Sequence, residues 1–170
     1  MDIFVFDIDD TIVLHTKEGN DYYNSNGNTT LRDLLSEFEN LRYYIYTNGT
    51  FGHGKAIVDN LYLQVNMIFA RDVIPFMKPD ERSFRYVNRE IKQDLRKQNK
   101  NIKRLVFFDD LKDNLKMAKQ FGWTTVLINP NPNEKENFDY SSLASSINQS
   151  VGVTKTLIQP IVESQNNCLI

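Results

Sequence analysis

Short apolar runs punctuate the chain, and amphipathic segments lie between most of them. IFVF (3–6), YYIY (43–46), VNMIFA (65–70), RLVFF (104–108) and TTVLI (124–128) are rich in β-branched and aromatic residues and read as strands. LRDLLSEFENL (31–41) repeats apolar residues at 31, 34, 35, 38 and 41, a helical stripe with Thr29 or Thr30 as its expected cap. HGKAIVDNLYL (53–63) is a second, shorter helix. ERSFRYVNREIKQDLRKQ (81–98) keeps Phe84, Val87, Ile91 and Leu95 on one face, and LKDNLKMAKQFG (111–122) ends on Gly122, a helix-stopping residue. Strands alternating with helices predict an α/β fold of three layers, Rossmann-like, with a central, mostly parallel five-stranded sheet and helices on both faces.

The remaining segments are polar or weakly patterned. Residues 12–30, IVLHTKEGNDYYNSNGNTT, read as a long loop or small hairpin, and loops of that length in compact domains are usually functional. After the loop NPNPNEKEN (129–137) come a weak helix near 139–148 and an ambiguous segment at 151–163. The expected organisation is a single domain over 1–170, with its core in about 1–150, a flap or specificity loop at 12–30 and a tail at 151–170 without an assigned role.

Composition narrows the class. The 170 residues are 41% hydrophobic and 25% charged, with a net charge of −2, so no global charge drives the chain to nucleic acid or membrane. The lone cysteine, Cys168, excludes an internal disulfide and a cysteine metal cage, and it stands one place too late for a prenylation box. No apolar run nears membrane-spanning length, and the first strand leaves no room for a leader. A soluble, cytoplasmic protein is the expectation, either monomeric or oligomeric.

The chemistry gathers at the strand ends. FVFDIDDTIV (4–13) sets Asp7, Asp9 and Asp10 within four positions, and strand alternation sends Asp7 and Asp9 to one side of Ile8. Such a cluster repels itself unless a cation sits among it. The second strand ends YTNG, offering the Thr47 hydroxyl and a turn at Asn48. The fourth ends FFDD, adding Asp109 and Asp110, and MKPD places Lys78 just ahead of a helix. Ligands of parallel sheets bind at the carboxyl ends of the strands. Acids, a hydroxyl and a lysine converging there form an inventory for Mg²⁺-assisted phosphoryl transfer.

The ordered set DIDDT, YTNG, KP and FFDD resembles the four motifs of haloacid dehalogenase (HAD) superfamily phosphatases, over roughly residues 3–129. Within that superfamily, FDIDDT, TNG and DDLKDNLKMAKQFGW are most similar to the pyrimidine 5′-nucleotidase branch. The resemblance implies that Asp7 is a nucleophile that becomes an aspartyl-phosphate, and that Asp9 protonates the leaving oxygen and then activates water. It implies that Thr47, Asn48 and Lys78 hold phosphate. Mg²⁺ would be held by Asp7, Asp110, the neighbouring Asp109 and the main-chain carbonyl of Asp9. Thr11 would brace the loop through a hydrogen bond, and Asn114 would support the site. Many relatives carry a cap domain between motifs; the gaps 12–46 and 48–77 are filled by expected helix, strand and loop, so no large cap fits. An open site admits a phosphorylated small molecule, a nucleotide among them, or a phosphorylated macromolecule end, a nucleic-acid 3′-phosphate or a phosphoprotein. Tyr22 and Tyr23 in the 12–30 loop are then candidate specificity residues, able to stack on a base.

Rival readings compete for parts of this set. GTFGHGKA (49–56) fits the phosphate-cradling G-x-x-x-x-G-K pattern, but Ala56 replaces the hydroxyl that such loops offer Mg²⁺. A phosphate-binding module without turnover is the non-enzymatic reading; intact Asp7 and Asp9 argue against it. Arg82, Arg85, Arg89, Lys92 and Arg96 line one helix flank, and basic residues continue to Arg104. This 82–104 stretch is either a solvated face or a nucleic-acid footprint. His15 and His53 have no partner at metal-ligand spacing and read as loop residues.

Overall fold

The computed structural model describes residues 1–13, 30–38, 41–128, 145 and 147. Five strands, β1 (Asp2–Phe6), β2 (Arg42–Tyr46), β3 (Ile68–Phe69), β4 (Arg104–Asp109) and β5 (Thr124–Leu127), form one sheet in the order β3-β2-β1-β4-β5. Each neighbouring pair is parallel. The chain first builds outward from β1 through β2 to β3, then crosses to the other side of β1 for β4 and β5. The reversal falls between β1 and β4, and open parallel sheets part their loops at such a switch point to make a ligand crevice.

Continuous apolar runs are what a sheet covered on both faces requires. Phe4, Phe6, Ile45, Val106 and Phe108 turn to one face and pack with Leu31, Leu34 and Leu35 of α1 (Thr30–Ser36) and Ile57 and Val58 of α2 (Phe51–Asn60). Ile3, Val5, Tyr44, Tyr46, Leu105 and Phe107 turn to the other. They meet Phe84, Val87, Ile91 and Leu95 of α3 (Glu81–Lys97) and Leu115 and Ala118 of α4 (Lys112–Gln120). Each fully buried side chain of this size contributes about 1.5–3 kcal/mol. The two core tyrosines satisfy their hydroxyls: Tyr44 Oη donates to Asp94 at 2.6 Å, and Tyr46 shares a buried hydrogen bond with Ser83.

Element boundaries depart from the pattern where local chemistry decides. β3 keeps two residues of the expected 65–70 run because it is an edge strand; Asn66 N–H reaches Tyr43 O (2.9 Å) just ahead of it. α1 stops at Ser36 instead of 41, although Phe38 still packs edge-on to Phe4. α2 begins at Phe51, before the expected 53, because Thr50 Oγ1 accepts the His53 N–H (3.2 Å) and caps the helix. Asp80 caps α3 in the same way through Arg82 N–H (2.8 Å). Gly122 follows α4 with φ +75°, a conformation that favours glycine. Of the weak helix expected near 139–148, residues 145 and 147 are helical and Ile147 joins the first core face. No helix among the described residues is long and apolar enough to cross a membrane.

Candidate active site

Asp7 lies one residue beyond β1. Its N–H donates to Phe108 O (3.0 Å), which carries the β1–β4 ladder past the strand and sets Asp7 beside the end of β4, Asp109. Lys78 arrives from the loop between β3 and α3. Its Nζ lies 2.8 Å from Asp7 Oδ1 and 2.7 Å from Asp109 Oδ2, with the side chain 1% exposed. The rings of Tyr46 and Phe107 stand 5.1 and 5.3 Å from the same ammonium. The three motifs that end β1, end β4 and precede α3 therefore meet at one buried charge cluster.

The neighbours fix that cluster. Asp109 Oδ1 accepts from Leu111 N–H (2.8 Å) and Asn114 Nδ2 (2.9 Å), and Asp109 Oδ2 accepts from Asn114 Nδ2 at 3.0 Å besides Lys78. Asn114 thus supports the site by gripping Asp109 from α4. Asn48 reaches the backbone of Lys78 with both amide atoms: Nδ2 donates to Lys78 O (3.0 Å), and Oδ1 accepts Lys78 N–H (2.9 Å). Its side chain positions the lysine, so any phosphate contact at Asn48 must come from its main chain. The Lys78–Pro79 peptide is cis. Thr47 is buried, and its Oγ1 accepts Gly49 N–H at 2.9 Å.

The loop after β1 is held by its main chain. Ile8 O accepts from Thr11, Ile12 and Val13 N–H at 3.2, 2.9 and 3.1 Å, and Asp10 N–H donates to Val13 O at 2.7 Å. Asp10 takes φ 57°, which aspartate tolerates better than most side chains. The brace expected from the Thr11 side chain is not found: its Oγ1 is buried with no hydrogen-bond partner among the described residues. Backbone bonds to Ile8 O do that work.

Burial drives the Asp7 carboxyl up to about 7; Lys78 opposes this, and Asp109 adds to it. For Lys78, burial pulls the ammonium down, but Asp7 and Asp109 together outweigh it and the net shift is upward. Asp110 rises to about 6, through burial first and Asp109 second. Ligand oxygens of Asp7, Asp109 and Asp110 lie within 4.8 Å of one another. Once ionised, the three carboxyl groups outnumber the one ammonium by two charges, and their hard oxygen donors fit a divalent cation such as Mg²⁺, whose charge would in turn favour their ionisation. Because both oxygens of Asp109 already accept protein hydrogen bonds, Asp7 and Asp110 are the better placed ligands.

Asp9 makes a contact of its own beside this cluster. Its Oδ1 is 3.0 Å from His53 Nε2, with side chains 31% and 18% exposed. The expectation that His53 is a loop residue is therefore corrected: it stands in the first turn of α2 and touches Asp9. The contact joins residues 44 apart, and nothing in either local stretch announces it. Lys55, the lysine of the phosphate-loop rival, pairs instead with Asp59 on the solvent side of α2 (2.6 Å). Along α3, Arg82 pairs with Asp80 (2.6 Å), Arg85 with Glu81, and Arg89 with Glu90 (2.9 Å), so much of that flank is neutralised locally. His15, Tyr22 and Tyr23 lie outside the described residues.

No protein-family profile and no curated protein matches the chain. Solved structures do. A protein of uncharacterised role from Corynebacterium glutamicum ATCC 13032 Kitasato is 14% identical with a TM-score of 0.52, over 88% of this chain and 92% of that one. The core domain of a candidate phosphoglycolate phosphatase from Streptococcus pneumoniae TIGR4 is 18% identical with a TM-score of 0.53, over 90% of this chain and 96% of that one. An L-2-haloacid dehalogenase aligns more loosely, at 13% identity and a TM-score of 0.46, with the chain spanning 53% of its length. The first two likenesses establish a shared α/β, Rossmann-like fold, as expected from the alternation of strands and helices.

Proposed function

We propose that the protein is a Mg²⁺-dependent phosphomonoester hydrolase of the HAD type. The observation that carries this reading is the meeting of Asp7, Lys78, Asp109 and Asp110 at the sheet's switch point, delivered by three of the motifs quoted above, DIDDT, KP and FFDD. The candidate phosphatase core of the same fold supports it.

Asp7 attacks phosphorus with a carboxylate oxygen. The bond from phosphorus to the ester oxygen breaks, its electron pair leaves with that oxygen, and Asp9 supplies the proton that neutralises it. Water then attacks the phosphorus of the aspartyl-phosphate and gives its proton to Asp9. The bond to Asp7 breaks, releasing orthophosphate and restoring both carboxyl groups. Lys78 holds the nucleophile in place and offsets charge on the transferring phosphoryl, assisted by the Thr47 hydroxyl and the main chain at Asn48. Asp7 and Asp110 would hold Mg²⁺, which would supply further positive charge near the phosphoryl oxygens.

The substrate is a small phosphomonoester, nucleotides first, since the arginines nearest the site on α3 are occupied by acids. A groove of about 670 Å³ lined by Arg71, Phe76, Met77 and Lys78 would take the rest of the ester. The test is a screen with Mg²⁺ of nucleotides, polyol and sugar phosphates, 3′-phosphorylated oligonucleotides and phosphopeptides, with Asp7→Asn as control. Orthophosphate release that disappears in a folded Asp7→Asn protein is expected. Near-normal turnover in that variant rules out the covalent route. Preference for an oligonucleotide moves the assignment to a macromolecule end.

A further inference from the structure

We propose that His53 is a positioning residue for Asp9, orienting the carboxyl that exchanges the proton with the leaving group. The inference rests on the phosphatase reading above and adds to it a residue that none of the motifs contains.

The geometry is built from three places. His53 Nε2 stands 3.0 Å from Asp9 Oδ1; in its Nε2–H tautomer the ring donates to that oxygen and leaves Oδ2 for the proton that goes to the leaving group. That bond orients the plane of the Asp9 carboxyl, whose side-chain torsions the backbone turn at Asp10 does not set. The ring can stand there because Gly49 has no side chain: a Cβ at Gly49 would lie 2.8 Å from His53 Cδ2. α2 can bring the ring so near because Gly54 lets the helix settle on the sheet. A Cβ at Gly54 would lie 3.1 Å from Ile68 Cγ2 and 3.4 Å from Ile8 Cδ1. Ile8 separates Asp7 from Asp9, so the residue that seats α2 belongs to the same loop whose acid His53 grips. The Thr50 cap holds the His53 backbone through its N–H. GTFGHG, which fits a phosphate cradle by spacing, is here a device for delivering an imidazole to a carboxyl group.

A purely structural tie between the loop and α2 would have the same geometry, and the leaving group separates the two. Dinitrophenolate departs without a proton, whereas an alkoxide needs one. The ratio kcat/KM covers steps up to release of the leaving group, so it isolates proton donation from the later hydrolysis of the aspartyl-phosphate. In His53→Ala, kcat/KM for an alkyl ester such as glycerol phosphate should fall about tenfold to a hundredfold, a part of what a placed acid supplies. For dinitrophenyl phosphate it should stay within about threefold. His53→Gln, whose amide can donate to the same oxygen, should recover most of the loss on the alkyl ester. Both esters are measured on one preparation, so a partly misfolded sample leaves their ratio unchanged. Equal losses on both esters, or no loss on either, overturn the inference while the phosphatase reading stands. A wild-type protein inert toward every ester overturns both together.

Discussion

Exchanging the Asp7 carboxyl for an amide should stop turnover and, in metal-free protein, raise stability. Burial holds Asp7 up at about 7 in the folded chain against 3.8 when free, in spite of Lys78. Between those values the folded protein keeps a proton that the unfolded chain has released. Stability therefore falls as pH rises across that window, by about 1.4 kcal/mol per pH unit for this one group. Over roughly three units the loss reaches about 4 kcal/mol, complete once the pH passes the folded value. The amide of Asp7→Asn stands in for the protonated carboxyl at every pH and escapes the fall. Urea denaturation followed by circular dichroism, in metal-free buffers from about pH 4 to about pH 7.5, reads the difference directly. The two proteins should be nearly equal at the acid end, and the variant should lead by up to about 4 kcal/mol at the other. A gap that does not change with pH, or a wild type that is the more stable at neutral pH, would refute the burial argument. Such a result would mean that Lys78 outweighs burial and that Asp7 is ionised without a cation.

Substitutions at four further positions, two in this cluster and two outside it, have separate outcomes. Mg²⁺ at a hundredfold excess over its Kd should stabilise the wild type by about 2.7 kcal/mol, read as a rise in Tm, and should not do so in Asp110→Ala; a Tm indifferent to Mg²⁺ would contradict the metal site. Lys78→Ala leaves Asp7 and Asp109 buried without their shared ammonium and should cost about 3–5 kcal/mol in urea, with the rate down by several orders of ten. Lys55→Ala, cutting an exposed pair with Asp59, should cost under about 1 kcal/mol and leave the rate alone; the reverse ranking of the two lysines would favour the phosphate-loop rival. Asp10→Val puts a β-branched side chain at φ 57° and should lower stability by about 1–2 kcal/mol, whereas Asp10→Gly should not; equal melting of Val and wild type would remove the backbone account of that turn.

The sheet was legible because burial on both faces writes itself into a strand without alternation. FVF and LVFF read as core whichever way each residue turns, and the helical stripe at Phe84, Val87, Ile91 and Leu95 gives the layer that covers one face. Boundaries were less legible where a single side chain decides them. Thr50 moves the start of α2 back two residues from the expected one, and the edge position of β3 trims a six-residue apolar run to two. The acids were legible for a related reason: each sits at the end of its own apolar run, so strand recognition alone places Asp7, Asp109 and Asp110 on one edge. That Asp109 is the anchor for Lys78 and Asn114, with Asp110 beside it offering an oxygen to the same cluster, depends on which way two adjacent side chains turn. Sequence spacing does not set that.

What stayed hidden has one physical source, namely that a glycine-rich turn between a strand and a helix answers to two different demands. A backbone can lack side chains so that its N–H groups approach an anion, or so that other side chains and a sheet can approach it. Spacing cannot separate these, and GTFGHGKA satisfies the first pattern in all but Ala56. The surroundings separate them. An added Cβ at Gly49 would strike the His53 ring, and one at Gly54 would press on Ile68 and Ile8, while Gly52 has nothing within 4 Å. Two of the three glycines are thus spent on side-chain packing, and Lys55, which a phosphate loop would turn inward, is turned to Asp59. The cation that does face the chemistry is Lys78, and it is held by Asn48 of the same turn. The segment from Thr47 to Gly54 therefore serves the site at both ends, with Asn48 setting the lysine and His53 setting the acid. Neither role leaves a periodic trace, because each partner comes from a loop that joins it only across the sheet's carboxyl edge.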